Sequence, residues 1–132
     1  MICVALQEQN VSRCLRILES LELAEIRIDM AHLGEQEVRE IFSKSKTKLI
    51  ATCRADGYTE DERKHLLKVA IESGAAYVDI EIETDYAYKK DLMQFAWKHS
   101  TSVIVSYHNF KETPTLPELK SLVDECFDSG AN

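Results

Sequence analysis

Apolar and polar positions along this chain fall into blocks, and the spacing within the blocks switches repeatedly between two periods. Met1 to Leu6 is a short apolar run, expected to form a strand with no leader before it. From Val11 to Leu23 the apolar residues Val11, Cys14, Leu15, Ile17, Leu18 and Leu21 recur at helical intervals. From Ala24 to Met30 the period drops to two, with Ile26 and Ile28 on one face and Glu25, Arg27 and Asp29 on the other. A short helix is predicted over Glu35 to Phe42, and a third strand over Lys48 to Arg54. Thr59 to Ser73 is the clearest helix. Thr59 is its expected N-cap, with Glu60, Asp61 and Glu62 at the positive end of the helix dipole. Leu66, Leu67, Val69, Ala70 and Ile71 supply its apolar stripe, and Gly74 its stop. Ala76 to Glu83 alternates again, setting Asp79, Glu81 and Glu83 against Val78, Ile80 and Ile82. Asp85 to His99 is helical, with Leu92, Met93, Phe95, Ala96 and Trp97 apolar. The last strand opens as Val103-Ile104-Val105 and closes as Ser106-Tyr107-His108-Asn109-Phe110. Thr115 caps a final helix with Pro117 in its first turn, running to about Phe127 on Leu119, Leu122, Val123 and Cys126.

The order is a βα unit repeated five times, which implies a parallel sheet with right-handed crossovers. Two architectures accept this order, a doubly wound open sheet and a (β/α) barrel. A nucleotide-binding open sheet carries a Gly-rich turn after its first strand. Here that turn is Gln7-Glu8-Gln9-Asn10. Central strands of an open sheet also read as continuous apolar runs. Three strands here instead place polar groups on alternate positions: Glu25/Arg27/Asp29, Thr52/Arg54 and Asp79/Glu81/Glu83. In a barrel these groups would meet at the mouth, where active sites lie, so a barrel is favoured. Eight units need about 200 residues or more. The expectation is therefore one partial barrel domain over residues 1–132, five units of a (β/α)8 barrel, with two open edges that favour a homo-oligomer.

Composition narrows the partners. The 132 residues are 45% hydrophobic and 30% charged, enough for a genuine core, and only four Gly and two Pro leave little for long loops. The net charge of −7, without a Lys/Arg cluster, argues against nucleic acid or an anionic membrane as partner. A small anionic substrate stays open, because a few buried Arg can reverse the local field. No stretch is long enough to span a bilayer, and a cytoplasmic location is expected. Cys3, Cys14, Cys53 and Cys126 form no Cys-x-x-Cys pair, so neither a metal site nor a redox motif is signalled. Cys3 and Cys53, in apolar runs, are expected to be small core residues.

The best candidate for chemistry is His108, at the C-terminal end of the fifth strand, where an imidazole can act as general acid and base. A polar strand end merely satisfied by a neighbour is the plainer alternative. Glu25, Arg27 and Asp29 would position a substrate or pair among themselves. Arg54 could grip a carboxylate through two N–H groups or bridge to the acidic strand. Asp79 and Glu81 could serve simply to hold the Arg residues, and Ser106 to orient a water. His32, His65 and His99 fall on helix or loop surface.

Together, Glu25-Ile26-Arg27-Ile28-Asp29, Ile50-Ala51-Thr52-Cys53-Arg54, Tyr77-Val78-Asp79-Ile80-Glu81 and Val105-Ser106-Tyr107-His108-Asn109-Phe110 followed by Thr113-Pro114 resemble type I 3-dehydroquinate dehydratase. The resemblance implies a TIM-type (β/α)8 barrel and a lyase of the shikimate pathway of aromatic amino acid biosynthesis. The enzyme dehydrates 3-dehydroquinate to 3-dehydroshikimate through a lysine Schiff base, with no cofactor and no metal. It makes His108 the acid/base group and Glu25, Arg27 and Arg54 substrate-binding. The family's imine-forming lysine lies on a sixth strand, beyond this chain, so the chain alone is expected to be inactive. The family's acidic-Gly-Gly stretch is here Ala55-Asp56-Gly57-Tyr58, and Asn109 stands where Asp is more usual. The alternative is a non-catalytic half-barrel that self-assembles and at most binds a small anion.

Overall fold

The computed structural model describes residues 1–55 and 57–131; Asp56, in the stretch that replaces the acidic-Gly-Gly sequence, and Asn132 lie outside the described residues. Five strands form one sheet: β1 (Cys3–Leu6), β2 (Leu23–Arg27), β3 (Lys48–Thr52), β4 (Tyr77–Glu81) and β5 (Ser102–Ser106). They alternate with α1 (Val11–Leu18), α2 (Glu35–Lys44), α3 (Glu60–Glu72), α4 (Tyr86–Lys98) and α5 (Leu116–Asp128). Every strand pair is parallel. The spatial order is β1-β2-β3-β4-β5, the order of the sequence. A doubly wound sheet reverses its strand order at a switch point. This sheet has none, so the chain winds in one direction, as a barrel does. With five strands the barrel is not closed, and β1 and β5 stand at opposite ends of the order.

Strand alternation divides the sheet into two unlike faces. Ala24 and Ile26, Leu49 and Ala51, Val78 and Ile80, and Val103 point to the helices and are buried. They meet Cys14 and Leu18 of α1, Val38 and Ile41 of α2, Leu67 and Ala70 of α3, and Leu92 and Ala96 of α4. This layer is the core. The other face carries Glu25, Arg27, Thr52, Asp79, Glu81 and Ser106 and points away from this helix layer.

The N-cap at Thr59 is a full capping box: its hydroxyl accepts from Glu62 N–H and its own N–H donates to the Glu62 carboxylate. Gly74 follows α3 at φ +104°, the left-handed conformation that lets the chain leave the helix without a Cβ clash. Helix α1 ends at Leu18 rather than continuing to Leu23. The Thr47 hydroxyl donates to the Leu18 carbonyl at 2.7 Å, closing the helix end, and sheet register draws Leu23 into β2 opposite Cys3 and Lys48. β2 stops at Arg27, short of the expected Met30. There the Ala31 N–H turns back to the Arg27 carbonyl at 2.9 Å, and Asp29 in this turn is buried. Cys53 is buried as expected, but Cys3 is exposed. It lies on the edge strand and on the polar face, where an apolar run gains no burial. Helix α5 buries none of its residues; Leu116, Val123 and Phe127 are exposed, and only Leu122 and Cys126 are half-buried. Among the described residues no helix is long and apolar enough to cross a membrane.

Candidate active site at the C-terminal rim

Because all strands are parallel, their C-terminal ends share one rim, and the residues of the polar face collect there. β2 contributes Glu25, whose Oε1 accepts from the Thr52 hydroxyl of β3 at 2.8 Å. Arg27 is held two-pronged by the buried Asp29, Nη2 to Oδ2 at 2.6 Å and Nε to Oδ1 at 3.1 Å. Arg54, two residues past β3, sits at the centre. Its Nη2 lies 3.4 Å from Asp79 Oδ2 and its Nη1 lies 3.6 Å from Glu81 Oε1. The same Nη2 lies 2.5 Å from His108 Nε2. His108 itself is exposed, two residues beyond β5.

A guanidinium has only donors to offer. In this contact Arg54 donates and His108 Nε2 accepts, which places a ring proton on Nδ1. The structure brings Arg54 and His108, both singled out in the sequence, into contact at the rim, and it pairs Glu25 with Thr52. Arg27 joins the same face but gives two N–H groups to Asp29. His32, His65 and His99 are exposed and stand apart, with His65 bound to Glu35 at 2.8 Å.

One participant escaped the sequence reading. Arg63 of α3 is buried, donates Nε to the Cys53 carbonyl at 3.0 Å, and sets Nη2 3.1 Å from Glu81 Oε2. Its spacing to Leu66, Leu67 and Ala70 places it on the buried stripe of the helix, which is the signal that could have found it. Arg63, Glu81 and His108 line a cleft of about 290 Å³ together with Glu60, Glu83 and Asp85. A larger gap of about 680 Å³ lies between α4 and α5, lined by Met93 and Trp97 and away from the polar rim. Among the described residues no three His, Cys, Asp or Glu side chains gather as a metal ion would need.

Burial pushes the Asp79 carboxyl above its ordinary value of 3.8, outweighing the attraction of Arg54. Glu25 adds to the rise, while His108 opposes it. Burial likewise pushes the Cys53 thiol up to about 12, which makes it a core residue rather than a nucleophile. The folded chain holds the Asp79 proton more tightly than the unfolded chain does. Asp79 therefore supports stability below 3.8 and loses that contribution as pH rises through its raised pKa. Urea unfolding of the parent and of Asp79→Asn across this range checks the sign. The stability of Asp79→Asn relative to the parent is expected to increase with pH; a flat or falling difference would show that Asp79 is not held protonated.

The type I 3-dehydroquinase family model matches residues 2–132. The chain is 31% identical over 141 residues to a 3-dehydroquinate dehydratase of Desulfotalea psychrophila, covering 99% of this chain and 61% of that protein. It is 34% identical over 142 residues to the 3-dehydroquinate dehydratase of Methanocaldococcus jannaschii, covering 98% and 63%. The chain thus spans somewhat less than two thirds of the length of these relatives. Among solved structures, the type I 3-dehydroquinate dehydratase of Clostridium difficile, with covalently modified comenic acid, superposes with a TM-score of 0.86 at 22% identity. That match covers 98% of this chain and 58% of the other. The Aquifex aeolicus 3-dehydroquinate dehydratase superposes with a TM-score of 0.80 at 23% identity, covering 99% and 63%. These two likenesses carry the fold; the sequence match over nearly every residue carries the kinship, and the chain belongs to the type I 3-dehydroquinase family.

Proposed function

We propose that this chain carries the substrate-gripping and proton-transfer part of a 3-dehydroquinate dehydratase site. The observation that supports this most directly is the meeting of Arg54 and His108, from the ends of two different strands, on the open polar face. Arg54 serves as the fork for the substrate carboxylate, Glu25 accepts from substrate hydroxyls, and Arg27 adds positive field. His108 is the general acid and base. Dehydration needs a proton taken from carbon and a proton given to the departing hydroxyl. A neutral imidazole can do the first and, once protonated, the second. When the carboxylate takes the Arg54 N–H, His108 Nε2 is released to accept that proton.

Imine formation needs a lysine with a depressed pKa in a buried site. Lys48 begins β3 at its N-terminal end, Lys64 and Lys68 pair with Asp91, and Lys89 donates to the Ile82 carbonyl. Lys44, Lys46, Lys90, Lys98, Lys111 and Lys120 are exposed, so no lysine among the described residues is in the buried setting that imine chemistry needs. The 132-residue chain is therefore expected to bind 3-dehydroquinate without turning it over.

The test is a calorimetric titration with 3-dehydroquinate, followed by borohydride reduction and intact mass measurement. Binding that weakens with added salt, and no reduced adduct, is the expected result. An adduct would overturn the assignment of the chain as unable to form the imine. Absence of binding at millimolar substrate would overturn the site itself. Sedimentation of the same sample addresses the alternative, a self-assembling half-barrel, for which the open edges and the uncovered α5 speak.

A further inference from the structure

We propose that Arg63 is a positioning residue that keeps Arg54 available to His108 and to an anionic ligand by occupying Glu81. Two guanidinium groups flank this one carboxylate. Arg63 takes Oε2 at 3.1 Å, and Arg54 reaches only the other oxygen, at 3.6 Å. Arg63 cannot drift, because its Nε is tied to the Cys53 carbonyl at 3.0 Å and its guanidinium lies 5.8 Å from the centre of the Tyr88 ring. Its anchor is the backbone of the residue next to Arg54, so the two arginines are set relative to each other by one strand end.

The charge count shows why this matters. Arg54 faces both Asp79 and Glu81. Without Arg63, Glu81 would have Arg54 as its nearest cation, and a two-pronged pair between them is the favoured geometry. Such a pair would draw Nη2 from His108 Nε2 and spend the fork meant for a ligand. With Arg63 in place Glu81 is already satisfied. Arg63 thus acts through Glu81 and Arg54 and touches no reacting atom.

The ligand half of this inference rests on the proposed substrate site; the His108 half does not. The test uses the folded 132-residue chain with ¹⁵N-labelled histidine. In the parent, His108 is expected to show an unprotonated Nε2 and a protonated Nδ1. Arg63→Gln keeps an N–H for the Cys53 carbonyl and removes the charge. It is expected to shift His108 toward the Nε2-protonated form and to weaken 3-dehydroquinate binding about 10-fold. Arg63→Lys, which keeps a cation on Glu81, should retain the parent tautomer. Adding Glu81→Gln to Arg63→Gln removes the competing carboxylate and should restore both readouts. A merely structural Arg63 would leave the tautomer unmoved in folded Arg63→Gln, and that result overturns the proposal. So does a double variant that stays impaired. If the parent binds no 3-dehydroquinate, the substrate reading fails, and the tautomer series still decides the role of Arg63.

Discussion

Arg54→Ala is expected to lower the affinity of the chain for 3-dehydroquinate by about 10- to 100-fold, the loss that follows from removing hydrogen bonds to a charged partner. The reason lies in the geometry of the rim. Arg27 is already gripped by Asp29 through two contacts, at 2.6 and 3.1 Å, and Arg63 by Glu81 and a backbone carbonyl. Arg54 makes longer contacts to its carboxylates, 3.4 and 3.6 Å, and its closest partner is the His108 ring rather than a carboxylate. It is therefore the guanidinium with most to offer a carboxylate. Stability should fall as well. Breaking a buried ion pair costs up to about 3–5 kcal/mol, because one charge is left without a partner. Asp79 can escape part of that cost by keeping its proton, so the destabilisation should be smaller in acid than at neutral pH. Arg54→Lys keeps the charge without the fork and should fall between. Calorimetry and urea unfolding of the three proteins measure both effects. Unchanged binding in Arg54→Ala would remove Arg54 from the substrate site.

Leu92→Ala should destabilise the chain by about 2–5 kcal/mol, since its side chain is fully buried between α4 and the sheet and truncation leaves a cavity. Val123→Ala on α5 removes a comparable apolar group from an exposed position and should change stability by no more than about 0.5 kcal/mol. The contrast, read by urea unfolding, tests where the core ends. If Val123→Ala proves as costly as Leu92→Ala, the face of α5 is covered in solution.

The alternation of charged with apolar residues in β2 and β4 was enough to set apart the two faces of the sheet and to pick the barrel over the doubly wound sheet. The helix starts at Thr59 and Thr115 were legible because an N-cap is a local code, a hydroxyl residue followed by acidic residues or a Pro in the first turn, and the structure closes each with the glutamate three positions on. The end of α1 was not legible. The apolar spacing runs on through Leu21, and what stops the helix is Thr47, 29 positions from the Leu18 carbonyl it caps. Cys3 misled for a similar reason. Its apolar neighbourhood in sequence says nothing of whether a helix covers that face of an edge strand.

The sequence by itself therefore determined the five βα units, the polar identity of one sheet face, and His108 and Arg54 as the groups worth following, because periodicity and side-chain chemistry are local properties. Only the tertiary structure decided the strand order, the choice of Asp29 as partner of Arg27, the burial that raises the Asp79 pKa, and the partition of Glu81 between two arginines. Each of these depends on residues distant along the chain, or turned back on it, coming within hydrogen-bonding range. Arg54 and His108 are 54 positions apart and meet only because parallel strands deliver their C-terminal ends to the same rim.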